Sequence, residues 1–190
     1  MVFSERGYQA TSVAAITDAA STAHGTFYLY FRNKEDVFAQ LMATSMGELY
    51  RQTLTELDPE THQYDVNVAH ERVRGFLQVA EQQGRLWRAL LEAILVSPAI
   101  EETWLGLRSR FHQGLADRLA IYQSRGEFRD LDPALVAASL AGMLEWHVFT
   151  SASFGVPGPL EASDKIVDTI ADLWARAVDI GGRRGLPAAD

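Results

Sequence analysis

The chain has no cysteine among its 190 residues. This absence excludes a disulfide framework and a thiolate metal site, and it fits a reducing compartment. Long hydrophobic runs are lacking too, because the longest one, between Asp132 and Glu145, is far shorter than the ~20 residues of a membrane-spanning helix. No positively charged leader precedes a short apolar segment at the N-terminus. We therefore expect a cytoplasmic protein that does not enter a membrane.

Basic charge is scarce, and the formal net charge is −8. A nucleic-acid partner usually leaves a basic footprint, so the total argues superficially against one. The first 42 residues are nevertheless almost neutral, with three basic and four acidic side chains, whereas the remainder carries 14 basic and 21 acidic ones. Any phosphate contact in the N-terminal part must therefore rely on hydroxyls and backbone amides as well as on cations.

Hydrophobic residues make up 47% of the chain, which is enough to bury a core. They recur at spacings of three and four without sustained alternation, which predicts an all-α fold of about nine helices. Asp58-Pro59 is expected to end a helix, whereas Ser97-Pro98 and Asp132-Pro133 are typical helix starts. Gly126 and Gly181-Gly182 are the natural ends of two further helices.

Two short helical patterns near the N-terminus are separated by a tight polar turn. Thr11 or Ser12 can cap the first of them. The spacing predicts its core face: Val13, Ile16 and Ala20. Phe27 and Phe31 of the second pattern are predicted to pack inward onto this face. A short helix that braces a second one, whose outer side can enter a DNA major groove, is the layout of a helix-turn-helix.

The second pattern, Ala23 to Phe31, reads Ala-His-Gly-Thr-Phe-Tyr-Leu-Tyr-Phe. It resembles the second motif helix of TetR-family transcriptional repressors, which is close to Ser-Lys-Gly-Thr-Leu-Tyr-x-Tyr-Phe. With the flanking segments Phe3 to Tyr8 and Val37 to Met42, the resemblance covers roughly the first quarter of the chain. It implies a DNA-binding head at residues 1–42, followed by an effector-binding and dimerisation body at residues 43–190.

The resemblance also implies roles for individual residues of the head. Phosphate contacts are expected from four places: the hydroxyls of Thr26 and Tyr28, the ammonium of Lys34, and Thr11 or Ser12 across the groove. His24 is the expected reader of a base edge, Gly25 allows close approach of the backbone, and Tyr30 faces the groove or its rim. Phosphate contacts set position, whereas base contacts set the sequence preference.

Three departures from the family pattern affect this head. Thr17, Ser21 and Thr22 stand where the family has a small residue, a turn glycine and a branched apolar residue. Ala23 replaces the usual capping serine. The family's first helix begins well before the position of Met1, so we expect a further N-terminal segment upstream.

In the body, the resemblance implies an apolar effector pocket with a few polar groups. The candidate lining residues are Trp87, Leu91, Trp104, Phe111, Met143, Trp146, His147 and Phe149. Among them, His147 is the candidate polar contact for a ligand. Plain core packing is the alternative for each of these side chains, since aromatic residues at helical spacing are usually buried.

The last two predicted helices are the candidate dimer interface. One carries a small-residue stripe and the other carries bulkier apolar residues: Ala134, Ala138, Ala141 and Gly142, then Ile166, Ile170, Leu173 and Trp174. Paired across a two-fold axis, they would form a four-helix bundle, and two heads would then read two DNA half-sites. A helical hairpin within one chain is the alternative use of the same residues.

The sequence thus predicts a ligand-responsive transcriptional repressor that binds double-stranded operator DNA as a homodimer and responds to an apolar small molecule. It predicts no cofactor and no metal. Enzymatic activity is not expected, because the chain has no His-Glu-x-x-His, no Gly-x-Ser-x-Gly and no phosphate-binding glycine loop. The alternative is a helical small-molecule-binding protein that has lost DNA binding, and a DNA-binding measurement separates the two.

Overall fold

The structure, a computed structural model, describes residues 2–55, 59, 66–155 and 163–178. Across these ranges the chain is all helical, as predicted, with nine helices and no strand. The helices are α1 (Val2–Arg6), α2 (Val13–Ala19), α3 (His24–Tyr30), α4 (Lys34–Thr55), α5 (Val66–Gln83), α6 (Arg85–Ile94), α7 (Pro98–Ser124), α8 (Pro133–Phe154) and α9 (Asp164–Ala177). The predicted helix ends at Asp58 and Gly181-Gly182 lie outside the described residues.

Capping interactions at both ends of α2 determine where this helix begins and ends. Ser12 provides the N-cap, because its Oγ accepts a hydrogen bond from the Ala15 N–H at 3.2 Å. At the other end, the Thr22 N–H donates to the Thr17 carbonyl at 3.0 Å and Ser21 takes a left-handed conformation with φ +50°. This is a Schellman arrangement in which glycine is usual, so Ser21 carries a strain of roughly 1 kcal/mol.

The buried side of α2 differs in part from the prediction. Ala15 and Thr17 are buried, Val13 and Ile16 are half-buried, and Ala20 is exposed. The prediction for Ala20 was wrong because this residue is the C-cap, where the chain already turns away from the core.

The helix α4 joins the head to the body. Asn33 caps its start, because Asn33 Oδ1 accepts a hydrogen bond from the Asp36 N–H at 2.8 Å. Phe38, near its start, packs edge-on against Phe3 and Tyr8 with ring centroids 4.8 and 5.0 Å apart. Met46, further along, is fully buried in the body. The proposed boundary at residues 42 and 43 therefore falls within an unbroken helix.

The body is a helical bundle made by α5 to α9 and the second half of α4, which packs against α5 and α7. The helix α7 packs against α4 and α8, whereas α6 packs against α8 and α5 against α9. The predicted starts at Ser97-Pro98 and Asp132-Pro133 are confirmed, since Ser97 and Asp132 accept hydrogen bonds from amides of the first turn. The chain turns at Gly126, with φ +72°. None of the described helices has the length and hydropathy needed to cross a bilayer.

Candidate nucleic-acid interface and its connections to the body

The short helix α3 turns most of its surface to solvent. Phe27 is buried against α2, whereas Tyr28, Leu29 and Tyr30 are 54%, 80% and 73% exposed. Because an α-helix has 3.6 residues per turn, Gly25 and Leu29 stand on the side opposite Phe27. The helix is therefore held by Phe27 on one side and is exposed on the other. We call this exposed side, around Gly25 and Leu29, the free face.

The structure brings five of the predicted DNA-binding residues together on α3. They are His24, Gly25, Thr26, Tyr28 and Tyr30, and only Thr26 is half-buried. The rings of His24 and Tyr28 meet edge-on with centroids 5.4 Å apart, and this contact orients both side chains. Leu29, which was not among the residues singled out from the sequence, is also exposed on this helix.

Thr11 and Lys34 are two other predicted phosphate contacts. In the structure both side chains donate hydrogen bonds to backbone carbonyls within the head. Thr11 is 2% exposed, and its hydroxyl donates to the Gly7 carbonyl at 2.6 Å. The Lys34 ammonium donates to the carbonyls of Tyr8 and Thr11, both at 2.9 Å, and of Gln9 at 3.2 Å. Of the pair Thr11 and Ser12, the structure thus leaves only Ser12 on the surface.

A carboxylate from the body fastens the head to α6. Glu92 Oε2 accepts hydrogen bonds from the backbone N–H groups of Tyr8 at 2.9 Å and Gln9 at 3.5 Å. The close approach requires glycine at position 7, since an added Cβ there would lie 2.6 Å from the same oxygen and φ is +79°. Arg88 Nε lies 3.4 Å from the other oxygen of Glu92.

A buried polar group, the Glu145 cluster, joins three helices of the body. It consists of Tyr50 on α4, Arg108 and His112 on α7, and Glu145 on α8. The Tyr50 hydroxyl donates to Glu145 Oε1 at 2.8 Å, and Arg108 Nε donates to Glu145 Oε2 at 2.6 Å. His112 Nε2 lies 3.8 Å from the same Oε2 atom. This cluster was not predicted from the sequence, because its members are far apart in the chain.

Burial and charge act in opposite directions on Glu145, which is only 3% exposed. Burial alone raises the pKa of its carboxyl, but the neighbouring His112, Arg108 and Tyr50 outweigh burial and hold the pKa below its usual value. The pKa of the Tyr50 phenol is raised well above its ordinary range by burial first and by the Glu145 charge second. Glu145 is therefore ionised and Tyr50 is protonated at neutral pH.

The remaining effector candidates fall into two groups. Phe149 meets Trp87 and Trp104 edge-on at 5.1 and 5.9 Å between ring centroids, at the junction of α6, α7 and α8. Phe111 stacks on Tyr50 at 4.3 Å. Leu91 and His147 are half-buried. This first group is thus buried or half-buried in the body, and burial lowers the pKa of His147.

The second group, Met143 and Trp146, lies on the outer side of α8. Trp146 is 68% exposed, so an interior pocket within one chain does not include it. Leu135 and Phe154 of α8 and Leu173 of α9 are exposed as well. We call these five apolar residues the outer face.

The other candidate dimer residues have mixed positions. Ala134 and Ala138 are exposed and, with Leu105 and Arg108 of α7, line a groove of about 420 Å³. Ala141 is buried and Gly142 is half-buried, as is Ile166 on α9. Ile170 and Trp174 are buried within the chain, where α9 packs against α5.

Among the described residues, no three His, Asp or Glu side chains are grouped so that they could hold a metal ion.

Comparisons with known proteins agree with this architecture. Residues 1–41 match the model of bacterial regulatory proteins of the tetR family, and residues 69–179 match that of the C-terminal domain of the transcriptional regulator EthR. The HTH-type transcriptional regulator EthR of Mycolicibacterium smegmatis is 27% identical over 171 residues, covering 88% of this chain and 76% of the relative. The fatty acid metabolism regulator protein of Bacillus subtilis is 45% identical over 47 residues, covering 25% of this chain and 24% of the relative.

Among solved structures, the crystal structure of the transcriptional regulator FadR from Bacillus subtilis in complex with stearoyl-CoA has the same fold. Its TM-score is 0.77 at 20% sequence identity, and the match covers 93% of this chain and 94% of that one.

The exposed helix on a helix-turn-helix head and the helical body define a DNA-binding transcription regulator. The chain belongs to the TetR family of bacterial regulatory proteins, with a body of the EthR type. Members of this family bind DNA and dimerise.

Proposed function

We propose that this chain is a repressor that binds operator DNA as a homodimer and releases it when an apolar molecule enters the body. The observation that carries the proposal is the free face of α3, where Gly25, Tyr28 and Leu29 stand exposed on the base formed by Phe27. A rigid helix that is buried on one side and open on the other is what the major groove accepts. Because such DNA lies in the bacterial cytoplasm, we place the protein there.

The outer face supports pairing through α8 and α9. Its apolar side chains are 37% to 68% exposed within one chain, and Met143 and Trp146 are three residues apart and so lie on the same side of α8. An exposed apolar surface of this kind marks an interaction site, and a two-fold axis would place the same surface of a second copy against it. Two heads held in this way would reach two half-sites on one side of the duplex.

The aromatic group around Phe149 is the proposed site of the effector. Trp87, Trp104 and Phe149 offer large apolar surfaces, and His147 offers a polar contact nearby on the same helix. The relatives favour a molecule with a long apolar chain, since one is a fatty acid metabolism regulator and one structure holds stearoyl-CoA. An acyl compound is therefore the effector class that we propose.

Two contacts would transmit the binding of this effector to the head. The Glu145 cluster links α8 to α4 through Tyr50, and Glu92 links α6 to the end of α1. Displacement of α6 by the effector would thus move α1, displacement of α8 would move α4, and either movement would shift α3. Coupling of this kind is reciprocal, so operator DNA must weaken effector binding by the same factor that the effector weakens DNA binding.

The direct test is a DNA-binding measurement with the full chain and a Tyr28→Ala variant. A duplex would first be selected from a random library by the wild-type protein, and its affinity would be measured at several salt concentrations. We expect binding that weakens steeply with salt. The Tyr28→Ala variant should bind about tenfold to a hundredfold more weakly, because a hydrogen bond to a charged phosphate is worth ~1.5–3 kcal/mol.

The matched control is Leu95→Ala, which removes an exposed side chain from the body, just after α6. It should bind the selected duplex as the wild type does. Failure to enrich any duplex, or equal binding by wild type and Tyr28→Ala, would contradict the proposal.

A further inference from the structure

Leu29 occupies the most prominent position of α3 and has no packing role there. It is 80% exposed, the highest value among the large apolar side chains of the head. Its position opposite Phe27 places it at the centre of the free face, with Tyr28 and Tyr30 beside it. A leucine at such a position contributes nothing to the core, and its methyl groups are available to an apolar group outside the chain.

The neighbouring Gly25 makes room for that partner. Helical side chains lean toward the N-terminus, so Leu29 extends over the turn that contains Gly25. Gly25 has no side chain, and apart from its two chain neighbours and the backbone of its own helix no heavy atom lies within 4 Å of where its Cβ would stand. A flat group can therefore approach the helix at this point and touch the methyl groups of Leu29.

The major groove offers one apolar group, the 5-methyl of thymine. Leucine has no donor or acceptor, so it cannot distinguish bases by hydrogen bonds, and burying a polar base edge against it would be unfavourable. A thymine methyl gains by the same contact, because both apolar surfaces leave water. The chemistry of Leu29 thus selects for thymine and against the exposed amino group of cytosine.

We propose that Leu29 fixes a thymine in each half-site of the operator by contact with its 5-methyl group. This inference rests on the proposed function, since it requires α3 to enter the major groove. It assigns to Leu29 a part of the sequence preference that the hydrogen-bonding residues of α3 do not provide.

The test removes the methyl group and the side chain separately. In the duplex selected by the wild-type chain, each thymine would be replaced in turn by deoxyuridine, which differs only by the missing methyl. We expect one position per half-site at which wild-type binding weakens about fourfold, the loss that corresponds to one buried methyl-sized group. At this position the Leu29→Ala variant should bind the thymine and uracil duplexes equally.

Two further variants sharpen the result. Leu29→Met keeps an apolar side chain of similar size and should retain sensitivity to the methyl group, and Leu95→Ala should retain it fully. The inference is wrong if no thymine is methyl-sensitive in the wild type, or if Leu29→Ala loses as much affinity on uracil substitution as the wild type does. If the library yields no preferred duplex at all, the failure lies with the proposed function instead.

Discussion

Replacing Glu145 with alanine is expected to lower the free energy of unfolding by about 3 kcal/mol, near the lower limit for removing one partner of a buried ion pair. The substitution leaves Arg108 without its carboxylate and Tyr50 without an acceptor for its buried hydroxyl. Arg108 is about a third exposed and can regain some hydration, which limits the loss. Thermal or urea unfolding of the full chain measures the effect.

Glu102→Ala is a suitable control for this measurement, because Glu102 is exposed on α7. Its removal should change the free energy of unfolding by less than about 0.5 kcal/mol. If both variants were equally stable, the contacts of Glu145 would contribute nothing to the fold.

The pH dependence of the same stabilisation follows from the direction of the pKa shift. The pKa of Glu145 in the folded chain is lower than its ordinary value of 4.5. The ionised carboxylate therefore stabilises the fold fully above pH 4.5, and this contribution is lost as the pH falls through the folded pKa. The stability difference between wild type and Glu145→Gln should be constant at neutral pH and should shrink only below pH 4.5. A difference that grew on acidification would contradict the assignment.

The Lys34→Ala variant is expected to have the second largest effect, on the head. Its loss leaves three carbonyls between α1 and α2 without their shared donor and removes the cation that lies 4.6 Å from the centre of the Tyr8 ring. Hydrogen bonds to a charged group contribute about 1.5–3 kcal/mol. We therefore expect a loss of this size in the stability of the head, measured by hydrogen exchange of the α1 and α2 amides.

The salt dependence of DNA binding decides between this internal role and the phosphate contact predicted for Lys34. Removing a phosphate contact reduces the slope of log affinity against log salt by about 0.9. An internal role weakens binding while leaving the slope unchanged, and this is the result that we expect. Arg32→Ala is the control for stability, since Arg32 is an exposed cation two residues away. A reduced slope for Lys34→Ala without loss of head stability would instead support the predicted phosphate contact of Lys34.

Most of the fold could be predicted from interactions between residues that are close in the sequence. The apolar spacing of three and four and the caps at Ser12, Ser97 and Asp132 depend on neighbouring residues only, and the structure confirms them. Ala20 was misplaced because a periodic pattern does not show where the last turn of a short helix leaves the core.

The contacts of Glu145 and Lys34 could not be predicted, because a local pattern does not show which distant residues meet in the fold. Glu145 interrupts an apolar run and looks like a boundary, yet its partners Tyr50 and Arg108 lie 95 and 37 residues away in the chain. Lys34 carries the charge of a phosphate contact, and only the fold shows three carbonyls converging on it. The sequence shows which contacts a side chain is able to make. The partner that it actually contacts depends on the packing of distant helices.

The exposure of Trp146 gives the protein a built-in optical probe of its oligomeric state. Trp87 and Trp174 are buried within one chain and Trp104 packs on Phe149, so we expect their fluorescence emission to change little on association, whereas the indole of Trp146 meets water. If α8 pairs with a second copy, dilution should shift the emission of Trp146 to longer wavelength as the copies separate. The spectrum of a Trp146→Phe variant should stay constant over the same range of concentration.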